Sequence, residues 1–288
     1  MATSVINFLK YTMSGIAQVI VQPCSLSGLI ILASIAVHSW QMALGALFGS
    51  AIGTASAIFL KFKNEDIALG IYGYNATLIG IANIYFFKTS TLAIIVFIVC
   101  CIFSIYVTKW IPRYLKLPAF TAPFVFITWF VILIKDFINL APAENVLNFI
   151  DNIHTAGLGE AVGQVYIQGN GITGIIMLIA ILLCSKSSFV WAIVAITLTW
   201  ILAHALNYPV SNIQNGLYGF SAVLTAIALQ GLKPVIFPII GIVLTVFVTQ
   251  AFILSGWPSL TAPFVFVSWV ITIIYIGYNK FSAGNNTN

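Results

Sequence analysis

A stretch of thirteen residues occurs twice in the chain and constrains its architecture more than any other feature. The copies read LPAFTAPFVFITW at residues 117–129 and WPSLTAPFVFVSW at residues 257–269. Each copy places a threonine between two prolines, ahead of an apolar segment. Because proline has no N–H to donate, it leaves the carbonyl four residues earlier without its helical partner. Lipid cannot satisfy such carbonyls, so we expect those of Ala119 and Ser259 to face a polar pathway.

Two further blocks repeat upstream at a fixed offset of 146 residues. Residues 17–28 correspond to 163–174, and residues 70–78 correspond to 216–224. The offset falls to 140 at the proline-rich block. This predicts that about six residues are missing from a loop of the second half, with the polar segment 86–91 as the extra piece in the first. Three blocks in the same order indicate an internal duplication of the whole chain.

The composition is that of a membrane protein. Of 288 residues, 61% are hydrophobic and 6% are charged, against about a quarter charged in soluble domains. The charges lie between the apolar runs, so the net charge of +5 indicates loop lysines near lipid headgroups and not a nucleic-acid surface. The first ten residues lack the features of a signal peptide, which predicts a retained N-terminus.

The apolar segments predict an all-α polytopic membrane protein. They fall near 12–23, 26–37, 42–60, 67–85, 91–108 and 118–134, and again near 161–168, 172–184, 188–205, 214–231, 234–254 and 259–278. Several are shorter than the roughly 20 residues of a spanning helix. Five crossings plus one re-entrant half-helix per half would make the halves inverted repeats, with a pore at their interface. The boundaries are 1–135 for the first repeat, 136–160 for a connecting loop, 161–279 for the second repeat and 280–288 for a polar tail.

No Asp, Glu, Lys or Arg falls clearly inside a predicted span, which points to a neutral solute that moves passively. Gln18 and Gln164 recur at equivalent places and offer an amide donor and acceptor without charge. Gln22 and Gln168 recur in the same way. The rings of Tyr74 and Phe220 could form flat walls, and Leu78 and Leu224, four residues later, would share their helix face. Such a slot would suit a small planar polar molecule.

Other candidate groups have weaker support from the sequence. Glu160 lies just before the Gln164 block, at the pore mouth or in a loop, and has no symmetric acidic counterpart. His38 and His204 lie in apolar runs without pairing under the repeat, so we expect structural roles, and His154 is expected to be solvated. We expect Cys24, Cys100, Cys101 and Cys184 to be buried apolar residues without a disulfide or metal. No catalytic, metal-binding or cofactor-binding motif is present.

Residues 117–124, LPAFTAPF, match the Leu-Pro-x-x-Thr-x-Pro-Phe signature of the urea transporter (urea channel) family. The likeness extends from about residue 14 to residue 279, with Trp257 where the second signature would have leucine. It resembles bacterial-type members, which implies a homotrimer in the cytoplasmic (inner) membrane. Each subunit would then be an independent pore that lets urea pass down its gradient.

The resemblance also implies roles for individual residues. Gln18 and Gln164 resemble amide-binding residues of two outer sites, and some members have an acid in the second role. The central constriction would comprise Thr121, Thr261, Leu78 and Leu224, with Val19 and Val165 beside it. Tyr74 and Phe220 resemble aromatic slot walls, and Val21 and Ile167 stand where some members have phenylalanine. The alternatives are a channel for ammonia or another small neutral amide, a membrane-embedded enzyme and a non-transporting scaffold.

Overall fold

Two series of helices follow one another in the same order. The computed structural model describes residues 2–144 and 154–285, and over those ranges its regular structure is helical apart from one bridge between Phe87 and Pro142. The first series comprises α1 (Ala2–Gln18), α2 (Ser25–His38), α3 (Trp40–Phe59), α4 (Asn64–Ala68), α5 (Tyr74–Phe86), α6 (Thr91–Leu115) and α7 (Ala122–Ile134). The second comprises α8 (Glu160–Gly163), which continues as a 3-10 helix (Gln164–Tyr166), then α9 (Gly171–Cys184), α10 (Lys186–Ala205), α11 (Val210–Gln214), α12 (Phe220–Leu229), α13 (Ile236–Ser255) and α14 (Ala262–Asn285).

Five of the described helices, α3, α6, α10, α13 and α14, are long and apolar enough to cross a membrane. The segment from α8 to α9 is also apolar, but it bends by 85° at its break. Helices α2, α7 and α12 are apolar and shorter than a span, as the short segments of the sequence predicted. Long and short helices alike carry large exposed apolar side chains, such as Phe130 in α7 and Ile201 in α10, which would be unfavourable in water. The all-α polytopic membrane architecture is therefore confirmed.

Helix breaks occur at equivalent positions in the two series. The predicted segments 67–85 and 214–231 are each interrupted, at Gly70 with φ +77° and at Gly216 with φ +70°. A Cβ at Gly70 would lie 2.4 Å from the backbone nitrogen of Gly15, and one at Gly216 would lie 2.3 Å from that of Ala161. Both the positive φ and the close backbone approach require glycine. The chain therefore reverses against the first helix of each series in the same way.

The predicted position of the missing residues was wrong. The connection after α5 covers residues 87–90, whereas the corresponding connection after α12 covers 230–235 and is the longer of the two. The shortening lies in the helices, since α12 has 10 residues against 13 in α5, and α13 has 20 against 25 in α6. Sequence offset alone cannot distinguish a shorter helix from a shorter loop.

Reciprocal hydrogen bonds join the two halves at the repeated thirteen-residue stretch. The indole Nε1 of Trp129 donates to the carbonyl of Pro258, and that of Trp269 donates to the carbonyl of Pro118, both at 2.8 Å. Each tryptophan thus satisfies a carbonyl of the other half beside the helix break. The matched pair of contacts indicates an approximate twofold relation between the halves.

Helices α2 and α9 also join the halves, and here the prediction for two of the cysteines was wrong. Cys24 and Cys184 form a disulfide with a Cα–Cα distance of 6.4 Å, while Cys100 and Cys101 have free thiols. The two helices run antiparallel, so the start of α2 meets the end of α9. Because the pairing arises only when the halves pack, a separation of 160 residues gives no sign of it in the sequence.

Glu160 is neither a loop acid nor solvated. Its carboxylate is fully buried and accepts hydrogen bonds from the backbone N–H and hydroxyl of Thr155, at 2.7 and 2.6 Å, and from the N–H of Gly157 at 3.1 Å. His154 Nδ1 lies 3.4 Å away, on a half-exposed ring. A buried carboxylate needs such donors to offset its lost hydration. Glu160 therefore anchors the turn that leads into α8.

The other parts of the predicted connector and tail are only partly described. Residues 141–144 pair with the chain beside Phe87, and Lys88 Nζ lies 2.6 Å from Glu144. Hydrogen bonding and charge from Lys88 hold the pKa of the Glu144 carboxyl below its usual value. Residues 145–153 lie outside the described residues, as do 286–288. Helix α14 continues to Asn285, so the described part of the predicted tail is helical.

Candidate functional site

Two internal cavities lie on either side of a contact between Thr121 and Thr261. We call the cavity beside Gln18 and Tyr74 the first lobe, and its volume is about 300 Å³. The cavity beside Gln164 and Phe220 is the second lobe, and its volume is about 230 Å³. The two hydroxyl oxygens are 2.7 Å apart, and both threonines are buried. Thr121 lines the first lobe and Thr261 lines the second. The pair of threonine hydroxyls therefore lies between the first lobe and the second lobe.

Most lining residues of one lobe have a counterpart in the other, except Thr108 and Pro112 in the first lobe and Tyr85 and Phe86 in the second. Ten of the twelve residues predicted from the sequence line them: Gln18, Val19, Val21, Tyr74 and Thr121 in the first lobe, and Gln164, Val165, Ile167, Phe220 and Thr261 in the second. Leu78 and Leu224 are fully buried in the apolar core and line neither lobe. Their place in a central constriction remains a prediction.

The glutamines present amide groups to the lobes in two ways. The Oε1 atom of Gln18 is buried and has no hydrogen-bond partner. Nε2 of Gln164 donates to the backbone carbonyl of Asn215 at 3.2 Å, which leaves its Oε1 available as an acceptor. Each lobe therefore offers one neutral amide oxygen. An unpaired buried acceptor is costly, so an N–H donor in the first lobe would offset that cost at Gln18.

The second glutamine pair has a different role. Gln168 is buried and bonds His38 Nδ1 through its Oε1 at 2.7 Å, so His38 belongs to the packing between α2 and the start of α9. Gln22 is also buried, but neither atom of its amide has a partner. Neither glutamine lines a lobe. The ring of His204 lies against that of Trp200, with centroids 4.1 Å apart and the planes tilted by 42°, on an exposed face.

The two carbonyls that were predicted to be free at the helix breaks, those of Ala119 and Ser259, are both hydrogen-bonded. The carbonyl of Ala119 accepts from Ala122 N at 3.1 Å, and that of Ser259 accepts from Ala262 N at 2.9 Å. A tight turn therefore satisfies both carbonyls that proline would have left free. The next residues, Phe120 with φ +42° and Leu260 with φ +46°, have left-handed backbone. Both line the cavities.

Side chains of α5 form hydrogen bonds with the backbone groups at the helix break of the first half. Tyr74 Oη and Asn75 Nδ2 both donate to the carbonyl of Phe120, and Asn75 Oδ1 accepts from Phe124 N at 3.1 Å. Asn75 was not predicted from the sequence, because its counterpart at the offset of 146 is Ser221, a different side chain. The tryptophans at the ends of the repeated stretch were also missed as contacts, although the repeat marks both.

The electrostatic potential inside the lobes is unfavourable for cations. None of the residues that line either lobe is charged. Four helices begin at lobe residues: α5 at Tyr74, α7 after Thr121, α12 at Phe220 and α14 after Thr261. The N-terminal end of a helix carries partial positive charge. The site can therefore accept N–H groups at its carbonyl and amide oxygens and tolerate a carbonyl oxygen, but it offers little to replace the hydration of a cation.

The fold and the site define the chain as an α-helical membrane protein with paired helix breaks and two uncharged cavities that meet at a pair of threonines. Sequence comparison gives the family. The sequence model of the family described as "UT: Urea transporter" matches residues 9–275, and the chain belongs to the urea transporter family. It is a family of transporters, in agreement with the sequence interpretation that the chain is not an enzyme.

Curated members of the family are similar over most of this chain. Urea transporter 1 of Rattus norvegicus is 30% identical over 255 residues, and the match covers 79% of this chain and 64% of that protein. Urea transporter 1 of Ovis aries is 30% identical over 246 residues, and that of Mus musculus is 29% identical over 251 residues. The chain thus spans about 64% of the length of these relatives.

Proposed function

We propose that the chain conducts urea passively, down its gradient, from one lobe to the other past Thr121 and Thr261. The observation that carries this proposal is the correspondence of the lobes, each of which offers one glutamine oxygen and no charge. Urea is planar and neutral, with one carbonyl and two NH₂ groups, so its dehydration costs far less than that of an ion. Family membership supports the choice of urea as substrate.

The order of contacts follows from the lining. Urea in the first lobe would donate to Gln18 Oε1, which has no hydrogen-bond partner within the protein. At the centre its N–H groups and oxygen would replace the hydrogen bond between the two threonine hydroxyls. In the second lobe it would donate to Gln164, whose amide is held by Asn215. At each step urea exchanges one neutral hydrogen bond for another. The free-energy change of each step is therefore small, since the net contribution of such a bond is about 1 kcal/mol.

We also propose how the repeats, the subunits and the membrane are arranged. The equivalent helix breaks and the reciprocal tryptophan contacts support two repeats of opposite orientation in the membrane, with the lobes at their interface. The family resemblance supports a homotrimer surrounded by lipid, in the cytoplasmic (inner) membrane. Light scattering of the detergent-solubilised protein would test the trimer, and a monomeric mass would reject it.

The test of transport is stopped-flow urea entry into proteoliposomes that contain the wild type, Gln18→Leu or Gln22→Leu. Gln22 is the matched control, since it is a buried glutamine four residues away that lines neither lobe. We expect fast entry in the wild type, independent of proton or sodium gradients, a large loss in Gln18→Leu and retention in Gln22→Leu. Wild-type entry no faster than in empty liposomes would reject urea, and parallel assays with methylammonium and formamide would then test ammonia and other amides.

A further inference from the structure

The C-terminal ends of α3 and α6 come together in a cluster of aromatic rings. Phe62, in the turn after α3, lies 4.9 Å from Tyr72 and 6.4 Å from Tyr106 of α6, measured between ring centroids. The ammonium nitrogen of Lys109, also on α6, lies 4.1 Å from the centroid of the Phe62 ring. This cation–π contact holds the lysine beside the turn after α3. The two helix ends therefore form one surface.

Five of the eleven lysines and arginines of the chain lie at this surface. All five are exposed, and we call them the basic surface: Lys61, Lys63, Lys109, Arg113 and Lys116. Lys109 and Arg113 are four residues apart and therefore share one face of α6. The acids Glu65 and Asp66 follow in α4, and Asp66 accepts a hydrogen bond from the Tyr72 hydroxyl. Five positive and two negative charges leave a net charge of +3 at these helix ends.

The corresponding end of the second half is neutral, although it keeps the pair of rings. Tyr208 and Tyr218, at the offset of 146 from Phe62 and Tyr72, stack with centroids 5.0 Å apart. The offset is 146 in the turn and 140 at the end of the helix, and the counterparts of the five basic residues are Asn207, Pro209, Thr249, Ile253 and Gly256. This part of the fold therefore forms in the second half without the charges.

Two of the lysines occupy backbone that disfavours them. Lys61 has φ +54° and Lys116 has φ +55°, both in the left-handed region. Their counterparts, Asn207 and Gly256, belong to the residue types that adopt this conformation most readily. Side chains held in a disfavoured backbone conformation cluster at functional sites. The turn geometry does not account for lysine at either place, whereas a role for the side-chain charge does.

The rest of α6 supplies an apolar surface next to the charges. The helix has 25 residues, so at about 1.5 Å per residue it is about 37 Å long and exceeds the hydrocarbon core of about 30 Å. Its basic end would therefore reach the headgroup region. Trp110 and Tyr114 are exposed there, and such rings favour the membrane–water interface. Val99 and Phe103, further back along α6, are exposed to the apolar region.

We propose that the ends of α3 and α6 bind an anionic phospholipid, with its phosphate at the basic surface and an acyl chain along Val99 and Phe103. Each basic side chain near the membrane surface attracts an anionic headgroup, and the guanidinium of Arg113 can donate two parallel N–H groups to a phosphate. A zwitterionic lipid offers the same chains without net charge. None of the five basic residues lines either lobe, so the inference does not depend on urea conduction.

The test is a titration of the purified protein, in a neutral detergent, with phosphatidylglycerol or with phosphatidylcholine of the same acyl chains. Native mass spectrometry counts the bound lipid. We expect phosphatidylglycerol to bind the wild type at least about tenfold more tightly than phosphatidylcholine. The combined variant Lys109→Gln, Arg113→Gln and Lys116→Gln should weaken phosphatidylglycerol binding about a hundredfold, since each charge contributes about fivefold. Its binding of phosphatidylcholine should not change.

The matched control removes the same number of charges from other helices. It combines glutamine substitutions at three exposed lysines at or near the ends of α10, α13 and α14, namely Lys186, Lys233 and Lys280. A bias of all loop lysines toward one leaflet would make the two triple variants equivalent. We expect instead that the control binds phosphatidylglycerol as the wild type does.

The variant Lys61→Gln with Lys63→Gln keeps the inference testable if the first triple variant does not fold, and it should weaken phosphatidylglycerol binding about twentyfold. A role of these residues in folding alone would lower the melting temperature without changing the preference between the lipids. Equal affinity of the wild type for the two lipids, or equal loss in the two triple variants, would overturn the inference. Displacement of the lipid by glycerol phosphate at a similar concentration would also overturn it, because the ligand would then be a free phosphate.

Discussion

The contact between Thr121 and Thr261 gives opposite predictions for stability and for transport. Valine has nearly the shape of threonine but no hydroxyl. Thr121→Val would leave the Thr261 hydroxyl buried without the partner that now lies 2.7 Å away. An orphaned hydroxyl of this kind costs about 1–3 kcal/mol of unfolding free energy. The double variant removes both hydroxyls and therefore leaves no orphan, so its stability should return close to that of the wild type.

Transport should not return with it. A urea molecule at the centre loses one hydroxyl partner in the single variant, which at about 1 kcal/mol lowers the rate about fivefold, and two partners in the double variant, which lowers it further. The assay pairs thermal unfolding in detergent with stopped-flow urea entry for the wild type, both single variants and the double variant. Double-variant transport equal to that of the wild type would refute a path between the threonines. Singles as stable as the wild type would refute their mutual hydrogen bond.

Three further variants test the architecture. Glu160→Gln removes the buried charge that holds Thr155 and should lower unfolding stability by several kcal/mol, seen as a lower melting temperature in detergent and weaker expression. Cys24→Ser removes the disulfide with Cys184 and should lower the unfolding free energy by about 2–4 kcal/mol. A reductant should lower the melting temperature of the wild type and leave that of Cys24→Ser unchanged. Gly70→Ala should prevent folding, because its Cβ would meet backbone at 2.4 Å with φ +77°, whereas Gly277→Ala, with open space around it, should be neutral or slightly stabilising.

Much of the architecture follows from periodic and local properties that the sequence carries directly. The apolar runs, the low charge and the three repeated blocks predicted an all-α membrane protein with two similar halves. The prolines beside Thr121 and Thr261 predicted where helices break, since a missing N–H is a property of the residue itself. The same repeat selected six residues that line the lobes, Gln18, Gln164, Tyr74, Phe220, Thr121 and Thr261, and the family resemblance added Val19, Val165, Val21 and Ile167.

Tertiary structure decided which groups meet across the breaks and across the halves. The sequence identified free carbonyls at Ala119 and Ser259, but a local turn satisfies both, and Asn75, distant in sequence, completes the first break. The disulfide of Cys24 and the burial of Glu160 likewise depend on contacts that form only when separate segments pack. Sequence pattern determines helix type and apolar face, because these depend on neighbours along the chain. Hydrogen-bond partners between distant segments depend on packed geometry, and only the folded molecule specifies them.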